Sequence, residues 1–589
     1  MNKSPLFFFF VAILLLSIIP PCAEGQARAG KHTGVEVPPN LAEGLAIGLV
    51  YVHFEKSTGD QVRDERLRQG VLHEALQADV AGGASFNTLV ADMAVKRIAK
   101  VPSIERARYA VYQTDNSADR IAVVFFIEAV SQEAAEPKKP KGMLPSGTFR
   151  EWPLIYENDS SRLTFILNGG FGAYTDTDPF FGWGKLFNER NPIADKPAGR
   201  GTTAVAESYL EPGIGGITRL GDTPFYPYGA FTYMGTWSSG SDVYSGGSRT
   251  YGDVEKAYAG VIYDLPGKDN VLNISYGRQE YQLRDGFLIS KIPGSTDAGH
   301  RGALNLGPRN TYKRAGFARL RLGSFAFEGF LVQPEELRDV RTDTRILGAN
   351  VQYNFPSGLE PAFAFIYVPK SEKTYIAAGG RRLLREGLRT FNPALTLKRL
   401  FGVEGLWLKA EYAYQDNEDF DMEAHAYYGW AGYRAARVSW GPTVSYRYSF
   451  FSGDNPRTRT FERFDPLTSG TQNFFLPGLI SSKVVQNANL RTHRVTFSVY
   501  PRQTLELMLE YFHHSADRLN NLGGVGPLQT LQSHSLVQEL AFNTFWFMGK
   551  NYFFQGVAAT AIPGSAIKRA VPGSTDNWYC LQASLYFFF

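Results

Sequence analysis

The chain has 589 residues, of which 14% are aromatic and 20% are charged, and its 61 basic and 57 acidic residues give a formal net charge of +4. This balance is too even to predict nucleic-acid binding. The mean hydropathy of −0.22 excludes a bundle of transmembrane helices, which would need several long apolar runs. With 31 Tyr, 43 Phe and 59 Gly, the composition is instead typical of alternating strands bounded by aromatic girdles.

Residues 1–27 predict a secretory signal peptide. A lysine at position 3 precedes an apolar run over residues 6–19, and Ala23-Glu24-Gly25 follows, so cleavage is expected after Gly25 or two residues later. The apolar run is too short to span a bilayer comfortably. Removal of this segment would leave Cys580 as the only thiol of the exported protein, and no intramolecular disulfide is therefore expected.

Residues 45–131 predict a small α+β domain. Its periodicity indicates a strand at 47–54, helices at 64–77 and 86–98, and strands at 104–112 and 120–128. The stretch FNTLVADMAVKRIAKVPSIERARYAVY in this order resembles a POTRA domain, a periplasmic polypeptide-transport-associated module. We therefore expect a POTRA-like domain in the periplasm, followed by an extended linker rich in Pro, Lys and Ala at 132–148.

From Leu163 onward the hydrophobic pattern has a period of two. Ala318, Leu320 and Leu322, for example, alternate with Arg319 and Arg321. A soluble sandwich would also alternate, but the signal peptide and the Tyr and Trp residues at strand ends favour a membrane barrel. The prediction for residues 149–589 is a mainly β fold, a transmembrane antiparallel β-barrel of about 16–18 strands.

The last strand supports a location in the outer membrane of a Gram-negative bacterium. Its outer face is predicted to carry Leu581, Ala583, Leu585, Phe587 and Phe589, and its inner face begins polar and turns aromatic only near the end. A soluble protein seldom finishes on exposed phenylalanines, because nothing follows to cover the rings. The strand also resembles the C-terminal targeting strand of bacterial outer-membrane proteins. The barrel is therefore expected to contact outer-membrane lipid and lipopolysaccharide.

Long connections rich in Gly, Pro, Asn, Asp and Ser predict loops that face the outside or fold into the lumen. They span residues 175–222, 287–311, 372–390 and 456–490.

Charged residues in the inward phase of the strands are the candidate pore lining. The basic candidates are Arg319, Arg321, Lys409, Arg447 and Arg494, with Glu328, Glu411, Glu506 and Glu510 nearby. A ring of guanidinium groups in a water-filled pore would attract anions. The alternative is that these residues pair across neighbouring strands and only hold the barrel together. Arg278 joins the candidates only if Gly277 introduces a bulge, because its phase otherwise points outward.

Signals for catalysis are weak. The one suggestive cluster is His513-His514-Ser515-Ala516-Asp517, but neighbours on a strand point to opposite faces and cannot form a triad by themselves. The sequence has no HExxH, no CxxC and no phosphate-binding Gly-rich loop. We therefore predict no enzyme activity, no catalytic residue, no metal and no cofactor.

Four short motifs resemble alginate-export-type outer-membrane proteins. They are Ser452-Gly453-Asp454, Phe464-Asp465-Pro466-Leu467, Tyr500-Pro501-Arg502 and, upstream, Gly277-Arg278-Gln279. The resemblance implies a monomeric barrel of about 18 strands whose arginine-lined lumen passes a polyanionic polysaccharide. The N-terminal domain is an addition to this pattern.

Two functions remain open on this basis. The first is a channel for an anionic polysaccharide or related solute, whose N-terminal domain docks a periplasmic protein through an open sheet edge. The alternative is a POTRA-barrel transporter for protein secretion or assembly. Its usual lumen-loop Arg-Gly-Phe/Tyr motif has no match here, since the nearest sequence is Arg314-Ala315-Gly316-Phe317.

Overall fold

The computed structural model describes residues 36–129 and 154–589, with gaps at 60, 115–116, 159, 268–269, 292–301, 436–437, 439, 471–474, 503 and 549–550. The predicted signal peptide and linker lie outside the described residues. Within those residues, no helix combines the length and the hydrophobicity that a membrane span requires.

The N-terminal part has the predicted order of one strand, two helices and two strands, preceded by a very short strand. Its elements are β1 (Glu36–Val37), β2 (Ala46–Lys56), α1 (Gln61–Gln77), α2 (Thr88–Ile98), β3 (Ile104–Thr114) and β4 (Ser117–Ala129). The sheet order is β1-β3-β4-β2, in which β2 and β4 are parallel and the other pairs antiparallel. Val71 of α1, Leu89 of α2 and Phe86 just before α2 are buried in the core that the helices form with this sheet.

The remaining chain is dominated by strands. These are β5 (Leu154–Glu157), β6 (Ser161–Thr177), β7 (Thr202–Thr218), β8 (Phe225–Gly240), β9 (Arg249–Asp264), β10 (Asn270–Gln279), β11 (Tyr312–Leu322), β12 (Phe325–Gln333), β13 (Arg345–Tyr353), β14 (Leu359–Lys370), β15 (Thr374–Ile376), β16 (Arg382–Leu384), β17 (Leu388–Leu397), β18 (Leu406–Asn417), β19 (Ala424–Arg434), β20 (Thr443–Phe451), β21 (Leu490–Arg502), β22 (Leu505–Ala516), β23 (Ser535–Met548), β24 (Tyr552–Pro563) and β25 (Trp578–Phe588). Two short helices are α3 (Gly184–Asn188) and α4 (Ser565–Ala570).

Eighteen antiparallel strands, β6–β14 and β17–β25, close into a barrel, as predicted. The predicted alternation is confirmed by side-chain exposure. On β25, Leu581 and Leu585 are 60% and 40% exposed, whereas Ser584 and Phe588 are buried. On β20, Val444 and Tyr446 are exposed and Ser445 and Arg447 are buried. The outer surface is therefore a continuous apolar belt, which suits lipid.

The barrel closes where β25 pairs with β6. The backbone of the terminal Phe589 exchanges two hydrogen bonds with Leu167, at 3.0 and 2.9 Å. Along β6, glycines make room for aromatic rings of the neighbouring strands. A Cβ atom on Gly169 would lie 2.1 Å from the ring of Phe587, its partner in register. Only glycine fits this position while the ring stays in place.

The connections differ in length at the two rims of the barrel. At one rim β11 and β12 are joined by residues 323–324, whereas at the other the β10–β11 connection covers residues 280–311. The rim with the short turns faces the periplasm in outer-membrane barrels. The prediction of a single loop over 175–222 was wrong, because this segment contains β7. The sequence Glu211-Pro212-Gly213 and the glycines after it obscure the period of two in that strand.

The N-terminal part packs against the inner wall of the barrel. Its hydrophobic core continues into Tyr226, Tyr228, Ile262 and Val271 of the wall. This burial of apolar surface against the wall is favourable and accounts for the position. The described residues of the N-terminal part and the barrel accordingly belong to one compact unit. The resemblance to a POTRA domain and its placement in the periplasm stay predictions.

A charge on the outer belt should destabilise the barrel far more than a charge on an equally exposed loop. Leu509 in the middle of β22 is 44% exposed, and Leu519 in the following connection is 42% exposed. We expect Leu509→Arg to lower the free energy of unfolding in lipid vesicles by about 2–4 kcal/mol. The measurement is a denaturant titration in vesicles.

The control is Leu519→Arg, which should change the same free energy by no more than about 0.5 kcal/mol, because its side chain meets water. Equal losses in the two variants would show that β22 does not face lipid.

Candidate functional site: the occupied lumen

The inner wall of the barrel is the candidate functional site, and the N-terminal part contacts two of the predicted lining residues. Arg319 is buried and forms ion pairs with Glu328 on the next strand at 2.9 Å and with Asp79 of the N-terminal part at 3.3 Å. Arg321 donates a hydrogen bond to the carbonyl of Gly82 at 3.1 Å. Both arginines point inward as predicted, and both meet the N-terminal part of the same chain.

Lys409 meets a carboxylate supplied by an inserted loop. Its Nζ lies 3.0 Å from Asp285 in the β10–β11 connection, and Asp285 also pairs with Arg120 on β4. Burial by itself would raise the pKa of Asp285, but Arg120 and Lys409 outweigh it and hold the pKa of this carboxyl well below its ordinary value. Asp285 therefore stays ionised at the point where the N-terminal part, the loop and the wall meet.

Two further charges extend this junction. Arg120 lies 3.1 Å from Glu360 of β14, and Lys398 in the β17–β18 turn lies 2.5 Å from Glu360. Lys398 also donates to the carbonyl of Gly48 in β2 at 2.7 Å. The central charge cluster is defined by these residues, which are Arg120, Asp285, Glu360, Lys398 and Lys409. Because Arg120, Asp285, Glu360 and Lys409 are each at least nine-tenths buried, their mutual pairing replaces the water that they lose.

The other predicted lining residues have different surroundings. Arg447 lies over the rings of Phe475 and Trp430, with centroid distances of 4.6 and 5.8 Å. Arg494 pairs with Glu510 on the adjacent strand, with Nε 3.0 Å from the carboxylate. Arg447 is thus covered by the β20–β21 connection. Arg494 makes the cross-strand pair that a purely structural role requires.

The bulge that Arg278 needs is present. The β10–β11 register shifts between Gly277 and Gln279, and Gly277 has a φ of 143°, a conformation that favours glycine. Arg278 pairs with Glu335 and donates to the carbonyl of Glu255 at 3.2 Å. The glycine therefore turns Arg278 away from the outward phase of Tyr276.

The motif Phe464-Asp465-Pro466-Leu467 holds two extracellular connections together over the lumen. The Asp465 carboxylate accepts hydrogen bonds from Arg385 at 2.8 Å and Tyr375 at 2.8 Å, both in the β14–β17 connection. Its backbone carbonyl and amide bond to Gln415 of the wall, each at 2.8 Å. The motif is thus an anchor for loops that cover the lumen.

The histidine cluster does not assemble into a catalytic site. His514 points inward, where its Nδ1 lies 3.0 Å from the Thr492 hydroxyl, while Asp517 pairs with Arg491. His513 instead lies beside His493, with ring centroids 6.1 Å apart. In the part of the chain that the structure describes, no group of three metal-ligating side chains is found.

Sequence reasoning missed the residues that fill the lumen. Asp79, Arg120 and Asp285 were not among the candidates, because their partners lie far away in sequence: Asp79 and Arg319 are 240 positions apart. The one local signal was the charged pair Arg284-Asp285 inside an otherwise apolar stretch of a long connection.

A closed 18-strand barrel with an apolar outer belt and a polar, charged lumen defines an outer-membrane channel protein. The model of the family described as Alginate export matches residues 244–580, and the chain belongs to this family. None of the curated proteins matches the chain.

Several solved outer-membrane proteins are similar to this chain. OccK7 (OpdD) of Pseudomonas aeruginosa has 11% identity and a TM-score of 0.42, over 72% of this chain and 98% of its own. OccK8 (OprE) of Pseudomonas aeruginosa has 8% identity and a TM-score of 0.43, over 72% and 98%. OmpF of Salmonella typhi, in complex with daunomycin, has 12% identity and a TM-score of 0.36, over 74% and 100%. At these values the likeness bears on neither ligand nor mechanism.

Neutralising Asp79 should loosen the N-terminal part from the wall without unfolding the barrel. Asp79→Asn removes one of the two carboxylates beside buried Arg319, and we expect the free energy of opening of α2 to fall by about 2–3 kcal/mol. Asn tolerates the φ of 60° at this position. The measurement is native-state hydrogen exchange in the full-length protein.

Glu65→Gln serves as the control, because Glu65 pairs with Arg68 at 3.2 Å on the exposed face of α1. This variant should change the opening free energy by less than about 0.5 kcal/mol. Unchanged protection of α2 in Asp79→Asn would mean that the Asp79–Arg319 contact does not hold the N-terminal part in place.

Proposed function

We propose that the protein is a gated outer-membrane channel that exports an anionic polysaccharide. One observation carries this proposal: basic residues of the inner wall bind carboxylates, and the protein supplies those carboxylates itself. Asp79 forms an ion pair with Arg319, and Asp285 forms an ion pair with Lys409. When the N-terminal part and the β10–β11 connection move away, these cations face the lumen.

A polymer of uronic acids carries the same chemical group as the residues that leave. Exchange of a protein carboxylate for a polymer carboxylate preserves the charge-assisted hydrogen bonds of each arginine or lysine. A neutral glycan offers no such replacement and would leave buried cations without partners. The wall thus favours a carboxylated polymer over a neutral one.

The proposed lining consists of Arg319, Arg321, Lys409 and Arg447, which contact the inserted segments. Arg494 and Arg278 contribute less to anion binding, because their partners Glu510 and Glu335 stay with the barrel. Arg319 also keeps a barrel partner, Glu328, but loses Asp79 when the N-terminal part moves away. Membership of the family described as Alginate export supports the channel over a protein-secretion role. The barrel is proposed to act as a monomer.

The N-terminal part is proposed to dock a periplasmic protein that displaces it. Among the described residues, β1 pairs with β3 only through Val111 and Tyr112. Residues 104–110 of β3 therefore offer an edge to which an extended segment of a partner adds as a strand. Strand pairing of this kind supplies backbone hydrogen bonds that offset the lost contacts with the wall.

A disulfide between the N-terminal part and the inserted loop should lock the channel shut. A Cβ atom on Gly44 would lie 3.1 Å from the Cβ of Glu280, which is close to the separation in a disulfide. The φ of 74° at Gly44 adds backbone strain to a cysteine there, and the single-cysteine variant controls for this strain. We expect Gly44→Cys with Glu280→Cys, in a Cys580→Ser background, to abolish opening events when oxidised. The measurement is single-channel recording in a planar bilayer.

The same protein after reduction is the matched control and should open as often as each single-cysteine variant. Opening events of equal frequency in the oxidised and reduced double variant would refute the displacement of the N-terminal part as the gate.

Neutralising the lining should reduce the preference for anions. We expect Arg319→Gln, Arg321→Gln, Arg447→Gln and Arg494→Gln, combined, to move the reversal potential under a salt gradient towards zero and to weaken block by a polyuronate. Arg381→Gln with Arg382→Gln, two exposed extracellular residues, is the control and should leave both readings unchanged.

Heat-dependent gel mobility checks that the quadruple variant still forms a barrel. Unchanged selectivity in a folded quadruple variant would show that these arginines do not lie in the conduction path. A wild-type pore that is indifferent to the polyuronate would contradict export and favour protein secretion or assembly.

A further inference from the structure

A cleft of about 490 Å³ lies at the periplasmic rim, where α1 and α2 of the N-terminal part face the barrel. The barrel side of the cleft is formed by residues before β6, the β7–β8 turn and the ends of β8 and β9. This volume lies within the range of small-ligand sites in proteins. The cleft is separate from the lumen residues described above.

Basic side chains outnumber acidic ones in this cleft. Lys96, Arg97, Lys100 and Arg219 line it together with Glu74 and Asp264. Both acids pair with Arg97, at 2.9 Å for Glu74, and Lys96 pairs with Glu157 at 2.9 Å. The acids of the cleft are thus already engaged by one arginine.

The two remaining cations keep their charge available. Arg219 donates to the carbonyls of Thr223 and Asp222, at 3.0 and 3.2 Å. Within the described residues, neither Arg219 nor Lys100 takes part in a salt bridge, and Lys100 is exposed. Lys96, Arg97, Lys100 and Arg219 outnumber the two acids of the cleft, and this excess of positive charge attracts an anion.

The rest of the cleft suits a sugar ring. The guanidinium of Arg97 lies 5.2 Å from the ring centroid of Tyr226 and is held there by its two carboxylate partners. Tyr226 and Met93 are buried in the floor of the cleft, and Val101 and Pro102 add accessible apolar surface. Aromatic and apolar atoms pack against the C–H face of a pyranose, while fixed polar groups hold its hydroxyl and carboxyl groups.

We propose that this cleft is a uronate-binding site at the periplasmic mouth of the channel. Lys100 and Arg219 hold the carboxylate of one uronic-acid unit, and the ring lies against Val101 and Pro102. The inference rests on the proposed function, since it takes the transported polymer to be polyuronic. The site spans both the N-terminal part and the barrel rim, so the polymer meets both before it reaches the lumen.

The test uses the purified full-length protein and a fluorescently labelled short uronate oligomer, followed by anisotropy at low salt. Lys100→Gln with Arg219→Gln should weaken binding about tenfold or more, because two charge-assisted contacts are lost. The matched control is Lys568→Gln with Arg382→Gln, which removes two exposed charges from the extracellular side and should leave the affinity unchanged.

The outcomes separate this site from the channel proposal. If the cleft variant binds the oligomer as tightly as the wild type, the proposed site is overturned. Block of the pore by polyuronate would still support the channel proposal in that case. Absence of wild-type binding together with a pore indifferent to polyuronate overturns both. Inorganic phosphate and a uronate monomer are then compared as competitors of the labelled oligomer at equal concentration. Equal displacement by the two would show a general anion site and overturn the assignment to a saccharide.

Discussion

The carboxylate of Asp285 connects the three parts of the molecule. It lies between Arg120 of the N-terminal sheet and Lys409 of the barrel wall, and it belongs to a loop that enters from the opposite rim. A buried charge with two partners of opposite sign is stable only while both remain in place. The position of the N-terminal part, the loop and the wall residues is therefore decided together, and movement of any one exposes charge on the other two.

In the proposed gating, this dependence gives the lumen two electrostatic states. In the structure, Asp79 and Asp285 of the chain itself pair with Arg319 and Lys409. With the inserted segments displaced, the same wall gains positive potential along the conduction path. In the proposed gating, the same side chains close the lumen in one state and attract an anionic polymer in the other.

The sequence predicted the barrel well because one local rule governs it. Lipid on one side and lumen on the other impose a period of two, which Val444–Ser449 and the last strand show clearly. The rule failed at β7, where proline and glycine interrupt the apolar positions. It also placed Arg319, Arg321, Lys409, Arg447 and Arg494 on the inner face, since phase alone decides the direction of each side chain.

The contents of the lumen could not be predicted in the same way. Apolar residues of α2 and β4 show the same pattern whether the domain stands in water or packs against a wall. The partners of Arg319 and Lys409 come from segments distant in sequence, and no periodicity connects Asp79 or Asp285 to them. Charge pairing across such distances depends on the fold as a whole.

Gly169 affects the register in which the barrel closes between β6 and β25. The first and last strands meet across a large separation in sequence, as in the contact of Tyr174 with Ser584, 410 positions apart. The Phe587 ring fits against Gly169, whereas a slip of two residues would press it against the side chain of Leu167 or Phe171. The contact between Phe587 and Gly169 therefore favours a single register between β25 and β6. Strands that met out of register would leave backbone N–H and C=O groups of the two edges without their ladder partners.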